Sequence, residues 1–254
     1  MDVSPDIKVI YENDDMVAVN KPAGVLVHRP EKGPKAGQKE DVLTAWIKEH
    51  YPEAEEVGDE PILRPGIVHR LDEDTSGIIL IAKNQSAFDY LKGLFQNHEV
   101  KKTYLALVHG RMAGRGRIEK PIGLKSGSVK RSVSAPDMKM VKDAATEYRV
   151  LKLFKTGFET LTLLEVTPLT GRTHQIRVHL ASIGHPIVGD RLYGRPKADK
   201  EIGLGRQFLH AAAAEFPLPD GSRMKIEADL PEDLQEFLVG LGPGEEREEV
   251  VEYD

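Results

Sequence analysis

The chain has 254 residues, 40% of them hydrophobic and 30% charged, with a formal net charge of −6 and no cysteine. That length can bury one generous core or two small ones, so a single soluble domain of mixed class is expected. Disulfides, zinc ribbons and thiol nucleophiles are excluded, no apolar run approaches a membrane span, and residues 1–10 lack a secretory signal, which together fit a cytoplasmic location.

Residues 7–28 open with two β-branched runs separated by Glu12-Asn13-Asp14-Asp15, a hairpin signal. Lys21-Pro22-Ala23-Gly24 interrupts the pattern before Val25-Leu26-Val27. Residues 30–41, rich in Gly, Pro and Lys, read as an exposed loop, followed by a helix over 41–50 capped by Asp41 and an acidic, proline-containing loop over 52–66. The string HRLDEDTSG (69–77) comes next, and the apolar strand-like run IILIAK (78–83) follows at once. Over 85–97, Phe88, Leu91, Leu94 and Phe95 share one helical face. A strand is expected over 103–108, then a long basic loop or hairpin over 110–131. Residues 145–154 and 158–166 alternate like a strand pair turned at Lys155-Thr156-Gly157. Helical spacing returns at THQIRVHLASIG, with Thr173 as N-cap and Gly184 as C-terminal stop. A last strand over 207–213 and a helix over 231–241 complete the pattern, and 243–254 reads as a disordered acidic tail. Strands and helices interleave without a regular βαβ period, so the expected class is α+β.

The net charge hides an asymmetry. Residues 227–254 carry eleven acids and one base, so the preceding 226 residues carry +4. Residues 99–131 hold nine Lys/Arg against Glu99 and Glu119, either a solvated loop or a face for phosphates.

A strongly polar loop delivered by a buried strand is how folds hold reactive groups. Alone, Asp72 reads as a turn residue whose carboxylate satisfies nearby N–H groups. Arg70 two residues earlier, the Thr75-Ser76-Gly77 turn behind it, and the candidate partners Tyr104 and Arg177 favour a reactive carboxylate, kept ionised by a guanidinium. Rival chemistries fare worse. Asp74-Thr75-Ser76-Gly77 only approximates an aspartic-protease turn, and the chain has no second copy to form the dyad. His174 and His179 are five apart, about 140° around a helix, where zinc motifs use four. P-loop, GxGxxG and GxSxG motifs are absent. Glycoside hydrolysis through Asp72 and a second acid stays open. The Thr170-Gly171-Arg172 turn ahead of a helix start suits an anion such as phosphate, whereas for His174 and His179 the residues by themselves favour ordinary helix positions that pack or solvate.

Together HRLDEDTSG, KKTYLALVHG (101–110), PLTGRTHQIRVHLASIGHPIVGDRLYG (168–194), FLHA (208–211) and the opening NKPAGVLVH (20–28) resemble the RluA-type pseudouridine synthases. The blocks keep that family's order over roughly residues 7–230. The resemblance implies a mixed, largely antiparallel bent sheet with flanking helices and a central cleft, occupying 1–242, and isomerisation of uridine to pseudouridine in ribosomal or transfer RNA. It implies Asp72 as the catalytic aspartate, Tyr104 stacking on the uracil, and Arg177 as the basic partner of the carboxylate. It also implies Arg70 entering the RNA stack as the target base leaves, and Ile176 in the apolar floor, with Arg172 and His174 contacting substrate. Many relatives carry an N-terminal S4-type domain, and this chain starts directly at the catalytic strands. The expected partner is therefore structured RNA with the target uridine flipped out, at a cost of a few kcal/mol. Neither metal nor redox cofactor is required, and a monomer is the default. An N-glycosidase using the same carboxylate, or an RNA-binding protein with an inactive cleft, are the alternatives.

Overall fold

The computed structural model describes residues 6–28, 42–125, 130–134 and 138–246. In chain order it forms β1 (Lys8–Glu12), β2 (Met16–Lys21), α1 (Leu43–His50), a 3-10 turn at Pro52–Ala54, β3 (Ser76–Ala82), α2 (Gln85–Gln96) and β4 (Lys101–His109). Next come β5 (Arg115–Glu119), β6 (Ile122–Lys125), β7 (Arg131–Ser132), β8 (Met138–Lys142), β9 (Ala145–Lys155), β10 (Thr160–Pro168) and α3 (Gln175–Ser182). The chain continues through α4 (Pro196–Ile202), β11 (Leu209–Pro217), β12 (Arg223–Glu227), α5 (Glu232–Gly240) and β13 (Glu245–Glu246). The class is α+β, as the pattern predicts. The elements fall into two compact units, Met1–Lys101 with Ala211–Asp229, and Lys102–His210 with Leu230–Asp254.

In the first unit β1 and β2 form the predicted antiparallel hairpin. Asn13 Oδ1 accepts the N–H groups of Asp15 (3.0 Å) and Met16 (2.8 Å), so the side chain itself makes the turn. β2 pairs with β3, Lys21 opposite Gly77, and β11 follows β3 and pairs with β12. At Gly77 (φ +119°) a Cβ would sit 2.3 Å from the Ala211 carbonyl oxygen, so this close strand approach requires glycine. All seven residues of β3 are buried, the pattern of a strand covered on both faces. α2 covers one of them. Asn84 caps it by accepting the Ala87 N–H at 2.9 Å. Phe88, Leu91 and Leu94 pack with Ala18, Ile78, Leu80, Phe216 and Ile226, each contributing about 2 kcal/mol.

In the second unit β9 and β10 form the predicted long hairpin, closed by Thr156, whose N–H and hydroxyl both donate to the Glu159 carbonyl (2.8 Å each). β10 also pairs with β4, Val166 opposite Tyr104, while β5 and β13 pair with successive stretches of β9. α3 sets Ile176 and Leu180 into a core with Leu107, Leu161, Leu164 and Phe208, closed by Leu234 of α5. β6, β7 and β8 make a separate three-stranded antiparallel sheet.

Several expectations need correction. In the segment read as a basic loop or hairpin over 110–131, β6 and β7 do pair antiparallel, but β5 beside them and β8, β12 and α4 beyond were not foreseen. β7 has two residues, β8 is exposed over most of its length and α4 buries no residue, so no buried face marks them, and β12 alternates Met224 and Ile226 over only five residues. The last predicted strand runs Leu209–Pro217 rather than 207–213. α3 begins after His174, not Thr173. His174 occupies the N-cap in a left-handed conformation (φ 56°) with no side-chain cap bond. Gly184, at φ +84°, does end the helix as expected. The 30–41 loop and Asp41 lie outside the described residues; Val42 is the N-cap of α1, with no side-chain cap bond, and the helix runs from Leu43 rather than 41. Of the acidic tail, Glu245 and Glu246 pair with Leu153 and Lys152, and the part from 247 lies outside the described residues. Among the described residues no helix is long and apolar enough to cross a membrane.

Candidate active site

The HRLD segment runs back along the strand it feeds. Ile67 bridges Ile81, the Gly66 carbonyl accepts the Ala82 N–H at 2.9 Å, and His69 Nε2 accepts the Leu80 N–H at 2.9 Å. Accepting there leaves the His69 ring proton on Nδ1, and the ring stacks on Phe95 at 4.4 Å. Exposure then alternates: Arg70 is exposed, Leu71 buried and Asp72 half-buried. Leu71 thus anchors the segment while its two charged neighbours face away from the core. The Thr75 N–H donates to the Asp72 carbonyl at 3.1 Å, so the turn expected over Asp74–Gly77 lies instead at 72–75, and Ser76 and Gly77 already belong to the buried strand β3.

Sequence reasoning missed the residue that holds this loop. Lys21, at the end of β2, is fully buried. Its ammonium donates to three carbonyls, those of Pro22 (2.7 Å), Val25 (2.8 Å) and Glu73 (3.0 Å). Glu73 follows Asp72, and its carbonyl also accepts the Gly24 N–H at 3.0 Å. The 21–25 turn and the 72–75 turn are therefore clipped together through backbone oxygens. A buried lysine is rare without such partners. The signal in the sequence was its place in NKPAG, between a strand and a turn. His28, after the same turn, has its imidazole basicity lowered by burial and by the Arg70 and Arg64 charges.

The other candidates belong to the second unit. Tyr104 lies on β4, half-buried against that unit's core. Ile176 is buried in the core itself. Arg177, one turn into α3, is 7% exposed and grips Asp190 with both prongs of its guanidinium, Nε to Oδ2 at 2.7 Å and Nη2 to Oδ1 at 2.8 Å. It also lies 5.2 Å from the centre of the Tyr193 ring. His174 shares a hydrogen bond of 3.0 Å with the same tyrosine's hydroxyl. The fold thus gathers Arg177 and His174 around Tyr193. Arg172 donates from Nε to the Asp143 carbonyl (3.0 Å), and its N–H goes to Gln175 Oε1 (3.0 Å). His179 is fully buried between Thr146 Oγ1 and the Lys120 carbonyl, at 2.9 Å from each, a packing role.

Asp190 is the second residue that sequence reasoning missed. It also accepts the N–H groups of Leu192 (2.9 Å) and Tyr193 (3.0 Å). Burial alone would raise its carboxyl, but the Arg177 guanidinium and these two N–H groups outweigh that and hold it below the ordinary carboxylate value. Its sequence signal was a Gly-Asp step before a Tyr-Gly turn. Replacing Asp190 by Ala strands a buried guanidinium. The expected cost is about 3–5 kcal/mol of stability, read as a lower denaturant midpoint at unchanged slope.

Residues 15–182 match the family model described as RNA pseudouridylate synthase. A Nitrosomonas europaea protein, "Ribosomal large subunit pseudouridine synthase D", is 38% identical over 92% of this chain and 65% of its own length. A Bacillus subtilis protein, "Uncharacterized RNA pseudouridine synthase YlyB", is 38% identical over 93% of this chain and 73% of its own. Among solved structures, "Human RNA Pseudouridylate Synthase Domain Containing 4" superposes with a TM-score of 0.65 at 26% identity, covering 92% of each chain. "Human RNA Pseudouridylate Synthase Domain Containing 1" gives a TM-score of 0.71 at 24% identity over 98% of this chain and 100% of that one, a likeness of fold.

Proposed function

Because the chain belongs to the RNA pseudouridylate synthase family, we propose that it isomerises uridine to pseudouridine in structured RNA, with Asp72 as the catalytic residue in a module covering 1–242. The observation that carries this is Asp72's setting, a half-buried carboxylate in a loop fixed by Lys21 and by the Thr75 turn bond. A nucleophile held by backbone bonds loses little freedom on reaching the transition state. Asp72 attacks C6 of the uracil or C1′ of the ribose. The N1–C1′ bond breaks with its electron pair going to N1, the base turns, C5 bonds to C1′, and the bond that Asp72 formed breaks and returns the free carboxylate. The C5 hydrogen leaves to water as a proton and N1 takes one up, so the sequence of steps is redox-neutral.

The target base leaves the stack before any of this. Exposed Arg70 takes the vacated space and Tyr104 stacks on the uracil. Arg177 pairs with the Asp72 carboxylate, Ile176 contributes to the apolar floor, and Arg172 and His174 contact the RNA chain. Relatives named for the ribosomal large subunit favour ribosomal RNA over transfer RNA as the substrate. The protein works as a cytoplasmic monomer in this reading.

Incubation with [5-³H]uridine-labelled ribosomal RNA is the test. Isomerisation releases tritium into water while the RNA keeps its mass. Free uracil would identify an N-glycosidase, and binding without tritium release an inactive cleft; either result would overturn the proposal.

A further inference from the structure

The sheet of β6, β7 and β8 contains an anomaly of backbone and side chain. Ile122 faces Lys142 and Leu124 faces Lys139, so the one residue between, Gly123, opposes both Met140 and Val141. This is a β-bulge. Met140 sits in it at φ +53°, in the left-handed region that glycine occupies without strain. Glycine is used across the bulge instead. At Gly123 a Cβ would lie 2.9 Å from Met138 Cβ and 3.0 Å from Val141 Cγ2. The strain at Met140 gains no burial, because Met140 is 71% and Val141 48% exposed. What it does achieve is projection of an apolar side chain out of a strongly basic element. The described residues of this sheet and its links carry Lys125, Lys130, Arg131, Lys139 and Lys142 and no acid. All four lysines are exposed, Lys130 with its ammonium bonded to a backbone carbonyl, and Arg131 is half-buried.

The element is also firmly mounted. Lys130 Nζ donates to the Leu192 carbonyl at 3.0 Å, and the Arg131 N–H donates to the Tyr193 hydroxyl at 2.8 Å. Those acceptors belong to the Asp190–Tyr193 turn that fixes Arg177. A charge cluster of one sign matches a phosphate backbone, and an apolar wedge among cations matches the sugar and base edges of a shallow RNA minor groove.

We propose that β6–β8 is an RNA-docking element in which strained Met140 inserts against an RNA stem while the flanking lysines hold its phosphates. This rests on the reading of the chain as an RNA-acting enzyme. The test compares wild type with Met140→Gly, Met140→Leu and the double variant Lys139→Ala/Lys142→Ala. Each is measured for filter binding to protein-free large-subunit ribosomal RNA at several salt concentrations, for thermal melting and for tritium release. Met140→Gly relieves the backbone and is expected to melt at or above the wild-type temperature while binding RNA about tenfold more weakly. Met140→Leu keeps the wedge and the affinity. The double lysine variant lowers the slope of log affinity against log salt by about 2. Wild-type affinity in Met140→Gly would overturn the proposal, as would a shift in oligomeric state without a change in affinity, the mark of a self-association face. If wild type releases no tritium while Met140→Gly still binds more weakly, the docking element stands and the enzymatic reading falls.

Discussion

An Asp72→Asn protein is expected to release tritium from [5-³H]uridine RNA at least about a thousandfold more slowly than wild type, a barrier increase of about 4 kcal/mol or more. The carboxamide keeps the size and shape of the side chain but is not a nucleophile, so no covalent or charge-stabilised intermediate forms. The loop itself should survive the change. Its fixing bonds run through backbone atoms, from Lys21 Nζ and the Gly24 N–H to the Glu73 carbonyl and from the Thr75 N–H to the Asp72 carbonyl. Melting within about 1 kcal/mol of wild type is therefore expected, with RNA affinity within a few fold. That combination, full binding with no turnover, separates a chemical role from a structural one. Turnover within tenfold of wild type would remove Asp72 from the mechanism.

A loss of stability as large as that from removing Asp190 is expected from Lys21→Met. Methionine fills similar length but donates nothing, so the carbonyls of Pro22, Val25 and Glu73 lose their ammonium donor in a fully buried place, while that of Glu73 keeps the Gly24 N–H. Stranding buried acceptors costs about 1–3 kcal/mol each, so a total of about 3–5 kcal/mol is expected. For a protein of this size that lowers the melting temperature by roughly 10 °C. Turnover should fall as well at temperatures where the variant remains folded, because the 72–75 turn loses its clip to the 21–25 turn. The signature is a lower kcat with little change in KM, since Lys21 lies beneath the loop rather than on its exposed side. A melting curve superposing on wild type would show that the two turns are held by other means.

The parts legible in sequence were those whose signals are local. The period of Phe88, Leu91 and Leu94, the Asn13 turn, the β9–β10 hairpin and the Gly184 stop each declare themselves within a few residues of one another. HRLDEDTSG and its order among the other blocks were legible for the same reason. Elements without an apolar period escaped, among them β7 with two residues and α4 with none buried. Local pattern misplaced the start of α3. Thr173 has the composition of a cap, but Gln175 takes the Arg172 N–H and the Thr170 hydroxyl onto its own side chain, and His174 turns left-handed to let the helix begin.

Sequence alone determined the α+β class and singled out HRLDEDTSG, with Asp72 in it, as the candidate site, because strand alternation, helix period and turn chemistry depend only on neighbours along the chain. Tertiary structure decided which charges are buried and what satisfies them. Nothing near Lys21 announces that its ammonium will be enclosed by three carbonyls, one of them 52 residues away. Arg177 likewise meets Asp190 only because α3 and the turn after it fold face to face. A charged side chain leaves water only when partners are brought to it, and those partners are assembled by packing between segments distant in the chain.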